Sequence, residues 1–104
     1  MLISNIEAIP GRVVKTHLGL VQGCTVRAKH VGRDIAATLK NIFGGELRGY
    51  TELLNDSRDE AMQRMQAQAE QLGANAILNV RFSTSSVAQG ASELFVYGTA
   101  VILE

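Results

Sequence analysis

Hydrophobic and polar residues alternate from residue 13 to residue 26, a period-two pattern that predicts a β-strand. Glycines interrupt the pattern at positions 19 and 23, and a glycine within a strand often marks a bulge, a bend or the close approach of another backbone. The preceding residues 2–10 allow a short extra strand that ends at the turn pair Pro10-Gly11. Regular alternation gives the predicted strand two faces, one with Val14, Leu18 and Leu20 and the other with Val13, His17 and Val21.

Two helices are predicted after this strand. The first extends from about residue 33 to residue 43, because Ile35, Leu39 and then Ile42 or Phe43 recur at helical spacing. Gly44 follows directly, and glycine is suited to the left-handed residue that ends many helices.

The second predicted helix has no Gly or Pro from residue 51 to residue 72. Ser57 and Glu60 fit a capping box and offer a later start, but Leu53 and Leu54 continue the apolar stripe and favour the longer helix. Gly73 is expected to end it. The apolar stripe comprises Leu54, Ala61, Met65, Ala69 and Leu72.

Two strands are expected after Gly73. The first is predicted to be half-buried, because Ala76, Leu78, Val80 and Phe82 alternate with polar residues. A polar turn at residues 85–92 leads to residues 93–103, which are apolar on both parities and therefore predict a central strand that is covered on both sides. Helices can cover only one side of so small a sheet, so the other side is expected to meet a neighbouring subunit.

The order of these elements is β-α-α-β-β, which predicts an α+β fold with a small antiparallel sheet and two helices. A chain of 104 residues has room for a single domain, so we expect residues 1–104 to share one hydrophobic core.

The charge pattern restricts the partners that can be expected. Ten basic residues balance ten acidic ones and are scattered among them, so no nucleic-acid partner is predicted. Charged residues make up 19% of the chain, below the roughly 25% of average soluble domains, which hints at surface buried between subunits. No apolar run approaches the ~20 residues that a membrane helix needs. A single cysteine and an N-terminus without a secretory pattern favour the cytoplasm.

The stretch GGELRGYT at residues 44–51 is close to a phosphate-binding loop, but Tyr50 stands where that loop has its lysine. Such a loop must leave a strand and open onto a helix, whereas the element before Gly44 is predicted to be helical. We therefore interpret the stretch as a corner between two helices. In this interpretation Gly44 or Gly45 supplies a positive φ angle and Tyr50 packs at the start of the second helix.

Metal ligands are suggested by Cys24, His17 and His30, which makes a transition metal a possible cofactor. A regular strand places His17 and Cys24 on opposite faces, about 23 Å apart. No pair of these residues has the spacing of a zinc site. Cys24 is better explained as a small, half-buried hydrophobe and each histidine as an ordinary surface or strand residue. No catalytic residues are identified, because no serine has a histidine near it in the sequence.

The chain resembles the YbjQ-type family of small bacterial proteins over nearly its whole length. The resemblance rests on Arg33-Asp34, Gly44-Gly45 with Tyr50, Leu54 and Arg58, the turn at residues 72–76, and Gly98-Thr99-Ala100. It implies an α+β subunit similar to that of dodecin, assembly as a homopentamer, and a heavy-metal-binding label without established catalytic residues. Cys24 does not fall on a motif position of that family.

Three hypotheses follow from these observations. The leading one is a non-enzymatic cytoplasmic protein that forms a closed homo-oligomeric ring with a binding or scaffolding role. The second is a metal-binding protein whose site is built between subunits. The third is a small-ligand binder or enzyme with a cleft near Arg33, Asp34, Tyr50 and Arg58, although those residues are equally explained as a structural network at the helix corner.

Overall fold

A computed structural model of the chain describes residues 1–27, 48–88 and 91–104. Its elements are β1 (Leu2–Ile3), β2 (Val14–Arg27), α1 (Arg48–Gln71), β3 (Ala76–Ala88) and β4 (Ala91–Leu103). These elements form a small α+β fold with one helix and four strands in the described part of the chain. The helix predicted at residues 33–43 lies outside the described residues.

The four strands form one sheet in the order β1-β3-β4-β2. β4 is central, as the apolar residues on both of its faces predicted, and it runs antiparallel to both β2 and β3. β1 runs parallel to β3, with Leu2 opposite Ala76 and Ile3 opposite Ile77. The sheet is therefore mixed, and the prediction of a purely antiparallel sheet was wrong, because a two-residue strand carries too short a pattern to indicate its direction.

Two irregularities in β2 change which side chains share a face. The pairing with β4 shifts between Val14 and Thr16 and again between His17 and Gly19, and Gly19 has a φ angle of 120°. Leu18 consequently packs in the same hydrophobic cluster as Val21, although the regular alternation predicted opposite faces. The two faces predicted for this strand were wrong, because each bulge adds a residue and reverses the parity.

Gly23 marks the point where α1 lies closest to the sheet. A Cβ atom at this position would lie 2.1 Å from the backbone oxygen of Ala61 and 2.7 Å from the backbone nitrogen of Met65. The helix side of this contact is the fully buried row Ala61, Met65 and Ala69, in which two small side chains allow the short separation. Gly23 thus marks the close approach of another backbone, one of the three explanations that a glycine within a strand left open.

Helix α1 begins at Arg48, before the predicted start at residue 51, and it passes through Ser57 without interruption. Its last residue is Gln71, one residue before the predicted end at Leu72, and Gly73 has the positive φ angle, 82°, that was predicted for the residue that terminates the helix. The Gly73 amide donates to the Glu70 carbonyl and the Ala74 amide donates to the Ala69 carbonyl, the two hydrogen bonds of a Schellman motif. Leu54 and Leu72, at the two ends of the predicted stripe, remain substantially exposed.

The second face of the sheet is partly covered by the N-terminal segment. Ala76, Leu78, Val101 and Leu103 form a second buried cluster, against which Leu2 and Ile9 pack. A neighbouring subunit was expected to cover this face, but at this end of the sheet the N-terminal segment of the same chain covers it. The sequence pattern did not predict that the N-terminal residues pack on the sheet, because they form only a two-residue strand.

Strands β3 and β4 extend into residues 85–92, which were predicted to form a turn. Their pairing extends to Ala88 opposite Ala91, so most of the predicted turn is strand. Ser83, Thr84 and Ser85, which lead into this stretch, are exposed, and polarity alone does not distinguish an exposed strand from a turn. The long hairpin contributes to an elongated chain, with principal extents of 53 × 28 × 17 Å.

Candidate functional site

No described element covers the sheet face that points away from α1 near the C-terminal end of β2 and the N-terminal end of β4. In β2, Val21, Gly23 and Thr25 are buried beneath α1, whereas Gln22 and Cys24 are exposed on the opposite face. Directly opposed residues of an antiparallel pair point to the same side, so the side chains that face Gln22 and Cys24 from β4 belong to this face too. We call it the open face, formed by Leu20, Gln22, Cys24, Val26, Glu93, Phe95 and Tyr97.

The open face is unusually apolar for a surface. Leu20 is 68% exposed and Val26 is 52% exposed. Between them lie the rings of Phe95 and Tyr97, which are stacked with their centroids 5.3 Å apart. Clustered exposed apolar groups of this kind mark interaction sites more often than isolated ones do.

A cleft of about 440 Å³ adjoins the open face at the outer edge of β2. It combines a free thiol, a carboxylate, an aromatic ring and a guanidinium group within one depression. Its lining residues are Gln22, Gly23, Cys24, Arg64, Gln68, Glu93 and Phe95.

Two side chains of α1 reach over the outer edge of β2 beside this cleft. The Gln22 amide donates to Oε1 of Gln68 at 2.9 Å. Nη1 of Arg64 donates to the carbonyl oxygen of Cys24, and Nη2 of the same guanidinium pairs with the Glu60 carboxylate. Arg64 and Gln68 were not predicted as site residues from the sequence, although Glu60, Arg64 and Gln68 recur every four residues and therefore form one row on the helix.

His17 and Cys24 lie on the same face of the sheet and are the two candidate metal ligands that the structure describes. His17 lies opposite Val101 and Cys24 lies opposite Phe95, and both β4 partners have odd positions in a regularly paired strand. The prediction that His17 and Cys24 point to opposite faces was therefore wrong, because the bulge beside Gly19 reverses the alternation. Their partners are six residues apart along β4, so about 20 Å separates the two side chains.

No group of three or more His, Cys, Asp or Glu side chains in the described part of the chain could hold a metal ion. Cys24 and Glu93 line the same cleft and could supply two ligands, fewer than the four of a structural zinc site. Glu93 was not among the predicted ligands, since its position next to Cys24 depends on the strand pairing. His30 lies outside the described residues.

The predicted helix corner is described only in part. Arg33, Asp34, Gly44 and Gly45 lie outside the described residues, and Tyr50 belongs to the first turn of α1. Nη1 of Arg58 donates to Oδ1 of Asn55 at 3.2 Å on the exposed side of the helix. Arg58 also lines a cavity of about 80 Å³ beside the buried Thr25 and Ser57.

The family of the chain follows from a comparison of the whole sequence. Residues 1–104 match a family model whose description is "Putative heavy-metal-binding". The chain belongs to this YbjQ family. Over its full length it is 74% identical to a UPF0145 protein of Hahella chejuensis, which it also covers completely. Over 99% of both chains it is 56% identical to a UPF0145 protein of Halorubrum lacusprofundi.

The fold of this YbjQ-family chain also occurs in a crystal structure from Pediococcus pentosaceus. That protein belongs to the DUF74 family and is described as having unknown function. The two structures superpose with a TM-score of 0.65 over 100% of this chain and 98% of the other, at 16% sequence identity. The likeness supports the architecture described above. Among the described residues, no helix combines the length and the apolar character required to cross a membrane.

Proposed function

We propose that this protein is a non-enzymatic subunit of a closed homo-oligomer, with a binding or scaffolding role in the cytoplasm. In this assembly a second copy covers the open face. The observation that carries the proposal is the exposure of Leu20 and Val26 beside the stacked Phe95 and Tyr97 rings. Burial of such side chains stabilises an interface by about 25 cal/mol for each Å² removed from water.

The shape and charge of the chain are consistent with this proposal. The Cα radius of gyration is 17.0 Å, whereas a compact domain of about 100 residues has a radius of gyration near 13 Å. Extended subunits of this kind gain contact area when copies pack side by side. The formal net charge of zero also means that copies repel one another little. The family resemblance implies five subunits in a ring.

Charges placed on the open face test this assembly. The variant Leu20→Asp/Val26→Asp is expected to stay folded and to lose the oligomer, because burying two carboxylates in an apolar contact is costly. The matched control is Leu72→Asp, which alters a side chain that is 47% exposed at the end of α1, away from the open face. Light scattering after size-exclusion chromatography should give a monomer mass for the first variant and the wild-type mass for the control. A wild-type mass for both variants would contradict the proposed interface.

Heavy-metal binding is the second candidate, because the thiol of Cys24 and the carboxylate of Glu93 line one cleft and the family carries that description. One chain supplies two of these ligands, so the proposed site takes its remaining ligands from a neighbouring copy. Thiolate ligands favour soft ions and zinc, which makes zinc, copper(I) or cadmium the ions to test.

Metal analysis of protein purified without an affinity tag tests this second candidate. We expect a zinc or cadmium stoichiometry of at least one ion per oligomer, and its loss in Cys24→Ser and Glu93→Gln. The control is Glu52→Gln, an exposed carboxylate on α1 that does not line the cleft. Equal metal content in all four proteins would rule out the Cys24 site.

A further inference from the structure

The outer edge of β2 offers a template for adding another strand. β2 is 14 residues long and lies at one end of the order of the described strands, so none of these strands pairs with its outward N–H and C=O groups. Long edge strands of this kind invite edge-to-edge association between copies, and proteins commonly obstruct them.

Two of these outward groups form hydrogen bonds with side chains of helix α1. Oε1 of Gln68 accepts a hydrogen bond from the Gln22 amide, and the Arg64 guanidinium donates one to the Cys24 carbonyl. An added strand would supply the same pair of partners, one acceptor and one donor. The Glu60 carboxylate holds the other end of the Arg64 guanidinium, one helical turn earlier.

The close packing at Gly23 explains how the helix reaches this edge. Because Gly23 brings the α1 backbone against β2, the row next to the buried Ala61 and Met65 overhangs the strand. Gln68 and Arg64 therefore reach the backbone groups on either side of Gly23. Charge-assisted hydrogen bonds such as that of Arg64 are stronger than neutral ones.

We propose that Glu60, Arg64 and Gln68 form an edge guard, a row of helix side chains that blocks strand addition at residues 22–24. Copies of the chain are then prevented from pairing through this edge. An unguarded edge would pair with strands of other copies, and head-to-tail pairing that does not close produces filaments. The edge guard goes beyond the proposed function and does not depend on it.

The double variant Arg64→Ala/Gln68→Ala tests the guard. It is expected to expose the Gln22 amide, so that hydrogen exchange at Gln22, measured by mass spectrometry, becomes about tenfold faster or more. It is also expected to form β-rich aggregates, detected by light scattering and thioflavin fluorescence, at concentrations where the wild type does not. The control is Gln63→Ala/Gln71→Ala, which removes two other exposed glutamine side chains of α1. Exchange and aggregation equal to those of this control would overturn the proposal.

A conservative pair keeps the test decisive if the double alanine variant does not fold. Gln68→Glu retains an acceptor for the Gln22 amide, whereas Gln68→Lys replaces it with a donor. The glutamate variant should keep the slow exchange of the wild type and the lysine variant should lose it. Identical exchange at Gln22 in these two variants would refute the guard.

The edge guard and the proposed oligomer can be refuted independently of each other. In the Leu20→Asp/Val26→Asp background the open face no longer associates, so aggregation caused by Arg64→Ala/Gln68→Ala there reports the edge alone. Aggregation in that background supports the guard whatever mass the wild type has. A protein that remains dispersed in that background, with exchange at Gln22 unchanged, refutes the guard and leaves the test of the open face unaffected.

Discussion

Gly23 controls how closely the helix and the sheet pack, because its missing side chain leaves room for the α1 backbone. The nearest atoms to a Cβ at this position are backbone atoms of Ala61 and Met65, which cannot move without displacing the helix. At Gly98 the nearest atom to a Cβ is a side-chain atom, Cγ2 of Ile77 at 2.7 Å, and the nearest backbone atom, the carbonyl oxygen of Leu78, lies at 3.1 Å. The two glycines therefore provide a matched pair of sites.

The first prediction concerns these two glycines. Gly23→Ala should lower the free energy of unfolding by about 3 kcal/mol or more, because the added methyl group overpacks against backbone. Gly98→Ala should lower it by about 1–2 kcal/mol, since side-chain methyl groups can repack. Urea unfolding followed by circular dichroism measures both. A Gly23→Ala variant as stable as Gly98→Ala would show that α1 lies farther from the sheet than described.

At the scale of the elements, the C-terminal end of α1 depends on one backbone conformation. Gly73 has a φ angle of 82° and no atom within 4 Å of where its Cβ would lie, so a substitution meets strain but no steric clash. The two hydrogen bonds of the Schellman motif hold the chain as it turns from α1 toward β3.

We therefore expect Gly73→Ala to lower the free energy of unfolding by about 1 kcal/mol. Gly73→Asn should cost less than Gly73→Ala, because asparagine tolerates the left-handed region better than alanine. Thermal or urea unfolding of the three proteins gives the comparison. An alanine variant that is more stable than the asparagine variant would contradict the role of the positive φ angle.

Local signals in the sequence were sufficient for elements whose ends are set by neighbouring residues. The end of α1 at Gly73 and the central position of β4 were both confirmed. The predicted faces of β2 were not confirmed, since the bulges beside Thr16 and Gly19 arise from pairing with a distant strand. The direction of β1 depends on long-range pairing with β3, and the length of the hairpin depends on pairing between two neighbouring strands. Hydrophobic periodicity in one segment encodes neither.

At the scale of the whole molecule, the site was predictable only in fragments. Cys24 was recognised as a candidate ligand, but its neighbours Glu93 and Phe95 come from β4, about 70 residues later in the chain. The edge guard was detectable in principle, because Glu60, Arg64 and Gln68 share one row of the helix. The strand edge that the guard blocks was not detectable from the sequence, since the edge position of β2 follows from the order of the strands.

Burial of the open face in an oligomer also predicts the reactivity of Cys24. Its thiol is exposed in the single chain, and a second copy on the open face would shield it. We expect a thiol reagent to modify Leu20→Asp/Val26→Asp at least about tenfold faster than the wild type, because reaction at a protected cysteine requires local opening. The Leu72→Asp control should react at the wild-type rate. Equal rates in all three proteins would indicate that Cys24 lies outside any interface.

The central claim is that the open face is covered by a second copy of the chain. The mass of the wild-type protein in solution tests it most directly, measured by light scattering during size-exclusion chromatography over a range of micromolar concentrations. We expect a single species at a constant multiple of the 11.2 kDa chain mass, and the family resemblance implies five subunits. A stable species of 11.2 kDa throughout that range would contradict it.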